Sequence, residues 1–503
     1  MAFSVPLSTQ ETLFSSRPQS LMRAVLFMAL AIIALIPHFL LTAGLGAVGL
    51  VWLVLLTGIA LLVSYEFAFA LLVVNFFLQN AFIAASIPLI EDPDHFRLML
   101  GSNVVSVFLT SIVGIPIWMR VRKGLTPETN ALMRWLTYFC VVIVAYTALG
   151  FVVASSASAI TYMRIYFVGF LMLVIGIAFG FRMDLRYILN ITRVLAGILI
   201  VWGVVEFFFP YDLYRVFRAV DFLNYKLIGF IDVININGIA EYIRYETNSY
   251  LNLSGSLGLD IDLLRPRGPN FHSISYAYAL VFCCLIGYIY RFRVVMWGCL
   301  PLIFLVGAKG PLIMAVATLL LAWSYGRRRN THKLMTMLAV ALGVYAVVGI
   351  LYGMYTQDYH VTGFLGGVRG FLHNPLGHGI GVGGNMSSAG EQETLADFQY
   401  YQNYGADYGF ESAIGVMLYQ LGIGSVVFFI FYARFWKSVW RLVTLPQSDT
   451  RLIVVPIALA FLIANGIFQE EAFSPAGWGP WLMFSGFLLA QHWRSAKTAT
   501  VVK

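Results

Sequence analysis

Residues Gly367–Asn385 read GVRGFLHNPLGHGIGVGGN, and residues Asp407–Val427 read DYGFESAIGVMLYQLGIGSVV. In the first segment, the glycines at 377, 379, 381, 383 and 384 fit neither a helix nor a strand interior, because glycine loses the most backbone freedom on ordering. This segment predicts an irregular loop whose backbone can approach a ligand closely. The second segment is apolar after Glu411, which predicts a membrane helix over 411–433. Glu411 then lies where a polar loop enters the bilayer, a costly place for a carboxylate without a function.

The composition predicts an all-α polytopic membrane protein with a single integral membrane domain over 1–503. Of the 503 residues, 60% are apolar and 11% are charged, whereas soluble proteins carry about 25% charged residues. About 20 apolar residues of helix cross a bilayer, and runs of that kind predict fourteen spans. They lie near 23–42, 45–64, 67–87, 101–119, 135–154, 164–181, 190–209, 273–290, 294–308, 311–326, 334–354, 411–433, 452–469 and 477–492.

The distribution of basic residues predicts the side of the membrane that each connection faces. With the N-terminus in the cytoplasm, most of the 32 Lys and Arg residues fall on the cytoplasmic side, as the positive-inside rule requires. An even number of spans places the C-terminus there too. The net charge of +8 then reflects membrane topology, and nucleic acid is not an expected partner.

Two long connections, 210–272 and 355–410, fall on the outer side in this topology. Loops of this length are usually functional or disordered, and amphipathic runs such as Asp212–Tyr225 and Ile239–Tyr250 predict order. Aromatic rings beside acids and amides suit sugar binding. A position on the membrane surface explains the same residues, and the sequence leaves both interpretations open.

Two short motifs carry a family resemblance. Asn374-Pro375-Leu376-Gly377-His378-Gly379 is followed by Glu411 and by Leu421-Gly422-Ile423-Gly424. This series resembles the signature region of the O-antigen polymerase and O-antigen ligase family of bacterial membrane glycosyltransferases. The ligases place a histidine where this chain has Glu411-Ser412, and an acid at that position is more typical of the polymerases. The resemblance implies a GT-C-like glycosyltransferase in the bacterial inner membrane, with 210–272 and 355–410 as periplasmic loops.

The resemblance extends to two outer-face cations. Family members carry Arg-x-Gly ahead of a membrane helix, to which Arg267-Gly268 corresponds, and Ser-Arg-Gly where this chain has Ala308-Lys309-Gly310. In the family these arginines serve a lipid-linked diphosphate. A guanidinium pairs bidentately with phosphate, whereas lysine acts as a point charge. The simpler interpretation is that both side chains are interfacial anchors that snorkel to the membrane surface.

Further candidates are weaker. Arg265 precedes Arg267, Arg369 is the only base in the second outer loop, and Arg164 opens a predicted span at the outer surface. His378 is a reserve candidate for a catalytic base. His360, His373 and His378 lack an organised carboxylate partner, so no metal and no cofactor are expected. Glu206, Glu470 and Glu471 have no partner in the sequence, which favours contact with solvent or lipid headgroups.

The family implies a metal-independent, inverting glycosyl transfer. The donor is an oligosaccharide repeat on undecaprenyl diphosphate, and a glycan acceptor hydroxyl attacks its anomeric carbon. Glu411 is then the base, and Arg267 and Lys309, helped by Arg369, bind the leaving diphosphate. The alternative for Glu411 is that it only caps its helix.

Three functions remain open at this stage. A polymerase that joins repeat units is favoured. A ligase that passes glycan to lipid A core or protein is close behind, and a flippase for lipid-linked oligosaccharide comes from another class. Expected partners are the donor, the acceptor and membrane lipids, and the polymerase interpretation allows a chain-length regulator.

Overall fold

The computed structural model describes residues 18–121, 127–227, 238–249, 262–356, 358–385, 387, 410–446 and 448–501, most of which are helical. The first eight α-helices are α1 Pro18–Leu45, α2 Ala47–Val63, α3 Tyr65–Ser86, α4 Pro93–Leu100, α5 Ser102–Val121, α6 Pro127–Val153, α7 Ser156–Arg182 and α8 Leu185–Phe208. The next six are α9 Pro210–Val216, α10 Ala219–Leu227, α11 Ile239–Glu246, α12 Ser273–Ile289, α13 Arg293–Val306 and α14 Lys309–Arg328. The last six are α15 Thr331–Thr356, α16 Tyr359–His373, α17 Ala413–Leu421, α18 Gly424–Val443, α19 Val454–Phe468 and α20 Pro475–Val501.

Short elements complete this list. Strands β1 (Thr247–Ser249) and β2 (Asp262–Leu264) pair antiparallel, with Thr247 opposite Leu264. Single turns of 3₁₀ helix occur at Ile87–Leu89, Gly268–Asn270, Thr450–Ile453 and Glu470–Phe473.

The helical fold class predicted from composition is confirmed. Among the described residues, eight helical segments are long and apolar enough to cross a membrane, and each overlaps most of a predicted span. They are Gln19–Leu45, Tyr65–Leu89, Pro93–Pro116, Thr129–Val153, Ser156–Arg182, Leu185–Phe208, Thr331–Thr356 and Thr450–Phe468. The predicted spans near 45–64, 273–290 and 294–308 correspond to the shorter apolar helices α2, α12 and α13. The total of fourteen spans remains a prediction.

The predicted continuous span over 411–433 is wrong. The helix begins at Ala413, ends at Leu421 and restarts at Gly424, so α17 and α18 are separate helices. Gly422 lies between them with a φ of 48°, a left-handed value. A Cβ at Gly422 would collide with the backbone around Pro375 and Gly377. The apolar run continues through this break, which is why hydropathy alone does not reveal it.

The chain forms two compact units. Unit 1 consists of Met1–Pro116 and Ile177–Ile313, and unit 2 consists of Ile117–Gly176 and Met314–Lys503. In unit 1, Arg23 forms an ion pair of 2.8 Å with Glu66. Both line a cavity of about 290 Å³ together with Asp184 and Arg186. All four belong to segments that the charge distribution predicts on one side of the membrane, so their grouping agrees with that part of the topology.

The two long connections that the charge distribution predicts on the outer side contain regular elements where the structure describes them. The first contains α9, α10, α11 and the two strands, and the second contains the fifteen-residue helix α16. Residues 228–237, 250–261 and 388–409 of these loops lie outside the described residues.

Candidate functional site

Unit 1 contains a buried carboxylate, Glu206, at the C-terminal end of α8. It accepts hydrogen bonds of 2.8 Å from the backbone N–H groups of Arg267 and Gly268, and one of 2.8 Å from the Tyr214 hydroxyl. Burial of a carboxylate is costly unless donors surround it. The expectation that Glu206 faces solvent or headgroups is wrong, because the loop after α8 folds back over it.

The side chain of Arg267 extends from this carboxylate-bound turn. Its Nη1 donates to the Tyr242 hydroxyl at 3.2 Å, and the guanidinium lies 5.8 Å from the centre of that ring. Tyr242 is fully buried and packs edge-on against Tyr214, with ring centroids 4.9 Å apart. Neither tyrosine is displayed for sugar binding or on a membrane surface. Both form the support beneath Arg267.

The turn that presents Arg267 is fixed on its other side by α12. Gly268 has a φ of 66°, and a Cβ there would collide with the Tyr276 ring. Tyr276 in turn donates to the carbonyl of Leu199 on α8, at 2.7 Å. Phe271 is buried in the left-handed region, with a φ of 49°, a conformation that a bulky residue keeps only when its surroundings enforce it. Arg267 is therefore held on a rigid turn.

Arg265 links this turn to the loop that carries Lys309. Its Nε donates at 2.8 Å to the carbonyl of Val306, the last residue of α13. Lys309, three residues later, is exposed and begins α14. A cation in the first turn of a helix opposes the helix dipole, so Lys309 does not stabilise its own helix. The segments of Arg267 and Lys309 are thus adjacent, and convergence of their two charges remains a prediction.

Unit 2 contains the glycine-rich loop. Gly377, Gly379, Gly381 and Gly383 all have φ values between 83° and 107°. The loop donates from the N–H groups of His378 and Gly379 to the carbonyls of Tyr419 and Gln420, each at 3.0 Å. These carbonyls belong to the last turn of α17, where intrahelical partners are missing. The expected close backbone approach occurs at the end of α17, and also at α6, where the Ile380 N–H donates to the Tyr146 carbonyl at 3.0 Å.

Glu411 is held beside the end of this loop. The Phe410 N–H donates to the Gly383 carbonyl at 2.9 Å, in an isolated bridge that aligns Gly384 with Phe410. The next residues, Asn385 and Glu411, are joined by a 2.9 Å bond from Asn385 Nδ2 to Glu411 Oε1. Gly384 is required here, because a Cβ would collide with the Tyr162 hydroxyl.

The interpretation of Glu411 as a helix cap is wrong. Ser412 is the N-cap residue of α17, and its hydroxyl accepts from the Gly415 N–H at 3.0 Å. Ser412 is fully buried and donates to the carbonyl of Gly466 at 3.2 Å. The carboxylate of Glu411 precedes this cap and is engaged by other groups.

His360 is the second partner of Glu411. Its Nδ1 lies 3.3 Å from Glu411 Oε2, and the two side chains are 22% and 25% exposed. His360 is in the first turn of α16, which packs tightly on α17, because a Cβ at Gly363 or Gly367 would collide with the backbone of Glu411 or Gly415. Glycines four residues apart are typical of close helix pairs in membranes. The spacing of Gly363 and Gly367 is thus the feature of the sequence that indicates the packing of α16 on α17, which brings His360 to Glu411.

Glu470 lies in the same cluster, in the turn after α19. The side chain of Tyr162 and the backbone of Asn385 hydrogen-bond to its carboxyl group, and Glu411 and Glu471 are its charged neighbours. Burial raises the pKa of Glu470 to about 8 and also raises the pKa of Glu411, with the charge of His360 opposing the rise at Glu411. The expectation of a solvated Glu470 is wrong, since its carboxyl group is hydrogen-bonded to Tyr162 and to the backbone of Asn385.

His378 lies at the end of α17 that is remote from Glu411. His378 stacks on Tyr419 with ring centroids 3.9 Å apart, and its Nδ1 is 3.1 Å from the Tyr419 carbonyl. Burial lowers its pKa. The length of α17, roughly 13 Å for nine residues, separates its end from Glu411. Arg369 is exposed on α16. Arg164 does not open its span, because α7 begins at Ser156.

The two units carry different chemical groups. Unit 1 holds the guanidinium of Arg267 on a rigid turn, which suits an anionic ligand such as a diphosphate. Unit 2 presents a carboxylate and an imidazole in contact, which suits proton transfer. Within the described ranges, no group of three His, Cys, Asp or Glu residues could hold a metal ion. No family model, curated protein or solved structure matches the chain.

Proposed function

We propose that this protein is a polysaccharide polymerase of a bacterial inner membrane, with both termini in the cytoplasm. It transfers a growing glycan from undecaprenyl diphosphate to the hydroxyl group of another lipid-linked repeat unit at the periplasmic face. The motifs around Asn374, Glu411 and Gly422 support this assignment through their resemblance to the O-antigen polymerase and ligase family.

The observation that carries the proposal is the bonding of Glu206. A carboxylate that is fully buried and bound by two consecutive backbone N–H groups has one effect, which is to fix the turn at Arg267 and Gly268. A membrane anchor would not need such a turn, since a snorkelling arginine follows the headgroups on a flexible stem. A rigidly oriented guanidinium suits bidentate binding of a diphosphate.

The leaving group of the proposed reaction needs fixed positive charge. As the glycosidic bond breaks, negative charge gathers on the lipid diphosphate, and preorganised cations stabilise it more than mobile ones do. Arg267 and Lys309 supply that charge in the proposed mechanism. Arg265 donates a hydrogen bond to the Val306 carbonyl. Its proposed role is therefore to hold the segment of Arg267 against the segment of Lys309.

The acceptor hydroxyl needs a base, and the cluster around Glu411 supplies it. The carboxylate and the His360 imidazole are each about one quarter exposed, so a substrate can reach them. Burial raises the pKa of Glu411 toward the range in which proton transfer is effective. Direct displacement by the hydroxyl oxygen inverts the configuration at the anomeric carbon.

One observation favours a second function, that of a flippase. Broken membrane helices such as α17 and α18 are common in transporters, where the broken ends bind substrate. Here the carbonyls at the end of α17 already accept hydrogen bonds from His378 and Gly379. Because these carbonyls are already bonded to the glycine-rich loop, they are not available to bind a transported substrate, and we prefer the transferase function.

The test is the set of lipid-linked glycans that accumulates when the gene is deleted. Single repeat units on the outer face support the polymerase. Full-length polymer on the lipid carrier instead indicates a ligase, and repeat units confined to the cytoplasmic face indicate a flippase. Restoration by the wild-type chain, and not by Arg267→Ala, ties the phenotype to the cationic turn.

A further inference from the structure

The cluster at Glu411 contains two groups that can accept a proton, and their contacts distinguish them. We propose that His360 is the catalytic base, and that Glu411 is the carboxylate that orients its ring. The inference rests on the proposed transferase function and assigns the roles within it.

The hydrogen position on the His360 ring follows from its neighbours. Nδ1 faces two oxygen atoms of Glu411, the carboxylate Oε2 at 3.3 Å and the backbone carbonyl at 3.4 Å. Both oxygens are acceptors, so Nδ1 carries the hydrogen and the lone pair is on Nε2. No described residue hydrogen-bonds to Nε2. The basic nitrogen is thus the one directed away from Glu411.

The carboxylate of Glu411 is already engaged by donors. Asn385 Nδ2 binds Oε1 at 2.9 Å, His360 lies at Oε2, and the Tyr359 side chain also hydrogen-bonds to the carboxylate. Donors on a carboxylate stabilise its charged form and weaken it as a proton acceptor. The same donors fix its orientation, which suits a group that holds an imidazole in one tautomer.

The backbone also fixes the imidazole. His360 is in the first turn of α16, where its N–H donates at 2.9 Å to the cap residue Asp358. Its ring packs on the Tyr359 ring, with centroids 4.1 Å apart. His360, Glu411 and Asn385 therefore come from three segments that meet at one place. In this arrangement His360 is placed to act as the base, and Glu411 is placed to orient its ring.

The proton transfer balances as follows. The acceptor oxygen forms a bond to the anomeric carbon of the donor while its proton moves to Nε2 of His360. The bond from that carbon to the diphosphate oxygen breaks, and its electron pair leaves on the lipid diphosphate. The imidazolium that results is stabilised by the Glu411 carboxylate until it releases the proton to solvent.

The experiment measures glycan polymerisation by purified protein, with lipid-linked repeat units extracted from the deletion strain. We expect His360→Ala to lose on the order of a hundredfold in rate, the scale for removal of a general base. Added imidazole should restore part of the rate in His360→Ala and none in Glu411→Gln. The double variant should be no slower than the slower single variant, because the two residues act as a unit.

The matched control is His373→Ala, an exposed histidine at the other end of α16, which should keep its rate. His360→Gln tests the same loss with a side chain of similar size, and the amount of monodisperse protein in detergent corrects both rates for folding. If the wild type is active and His360→Ala keeps a near-normal rate, the assignment is wrong. It is also wrong if the rate loss of the double variant equals the product of the two single losses. A wild type that extends no glycan would instead overturn the proposed function.

Discussion

Glu206 and Glu411 are both carboxylates near the end of an apolar helix, yet their surroundings differ. Glu206 is fully buried and bound by three donors that cannot change protonation at neutral pH. Glu411 is 25% exposed and lies against a histidine, which can change protonation. The partners of each carboxylate therefore decide its role. The first holds a turn in place, and we propose that the second takes part in proton transfer.

The largest effect is expected at the turn that Glu206 holds. Arg267→Ala should abolish nearly all polymer formation, because Arg267 is the fixed cation that binds the diphosphate in the proposed mechanism. Arg215→Ala, an exposed arginine in the same loop, should have little effect. The measurement is polymer length on gels from a complemented deletion strain. Normal polymer in Arg267→Ala would remove the diphosphate site from unit 1.

Glu411→Gln comes next, with an expected loss of roughly a hundredfold in rate. The carboxylate must be ionised in either of its roles, so activity should fall as the pH drops through its raised pKa. Glu411→His should keep partial activity. Ser412→Ala, which removes the cap of α17, should mainly lower thermal stability. A wild-type rate for Glu411→Gln at pH 7 would show that Glu411 has no part in proton transfer, so its role would not differ from that of Glu206.

Glu206→Gln should have a smaller effect on rate, of roughly tenfold, which corresponds to about 1.4 kcal/mol. An amide keeps one acceptor oxygen but turns an N–H₂ group toward a backbone donor of Arg267 or Gly268. The affinity for the lipid-linked donor should weaken while the pH profile keeps its shape. A shifted pH profile would mean that Glu206 takes part in proton transfer and that the two carboxylates are alike.

Lys309→Arg is expected to have the smallest effect, within about threefold of the wild-type rate, because both side chains bind phosphate. Lys309→Ala should lose about tenfold or more if its charge joins that of Arg267. Steady-state rates at several donor concentrations separate the two variants. Equal rates for Lys309→Ala and wild type would show that Lys309 does not bind the diphosphate together with Arg267.

Hydropathy and motif reasoning located the helices and the polar segments, but not which polar groups meet. Eight predicted spans were recovered because each consists of a long apolar run. Two of the three donors to Glu206 lie 61 and 62 residues away along the chain, and no local pattern signals a contact at that distance. The sequence shows no carboxylate partner for His360, because that partner, Glu411, is 51 residues away.

The function of the glycines was also only partly predictable. Their density indicated an irregular loop, and their positive φ values agree with it. What the sequence did not show is that α17 is short and needs two extra donors at its end. Leu421-Gly422-Ile423-Gly424 continues the apolar run, so the break depends on tertiary packing against Pro375 and Gly377.

The short helix α17 has a consequence for how the chain is made. A nine-residue helix rises roughly 13 Å, less than half of a hydrocarbon core of about 30 Å, so α17 alone is too short to cross a bilayer. The groups that complete its end, at Pro375, His378 and Gly379, all precede it in the chain. They have already left the ribosome when α17 emerges. We expect α17 to enter the bilayer together with the glycine loop, as one preassembled piece.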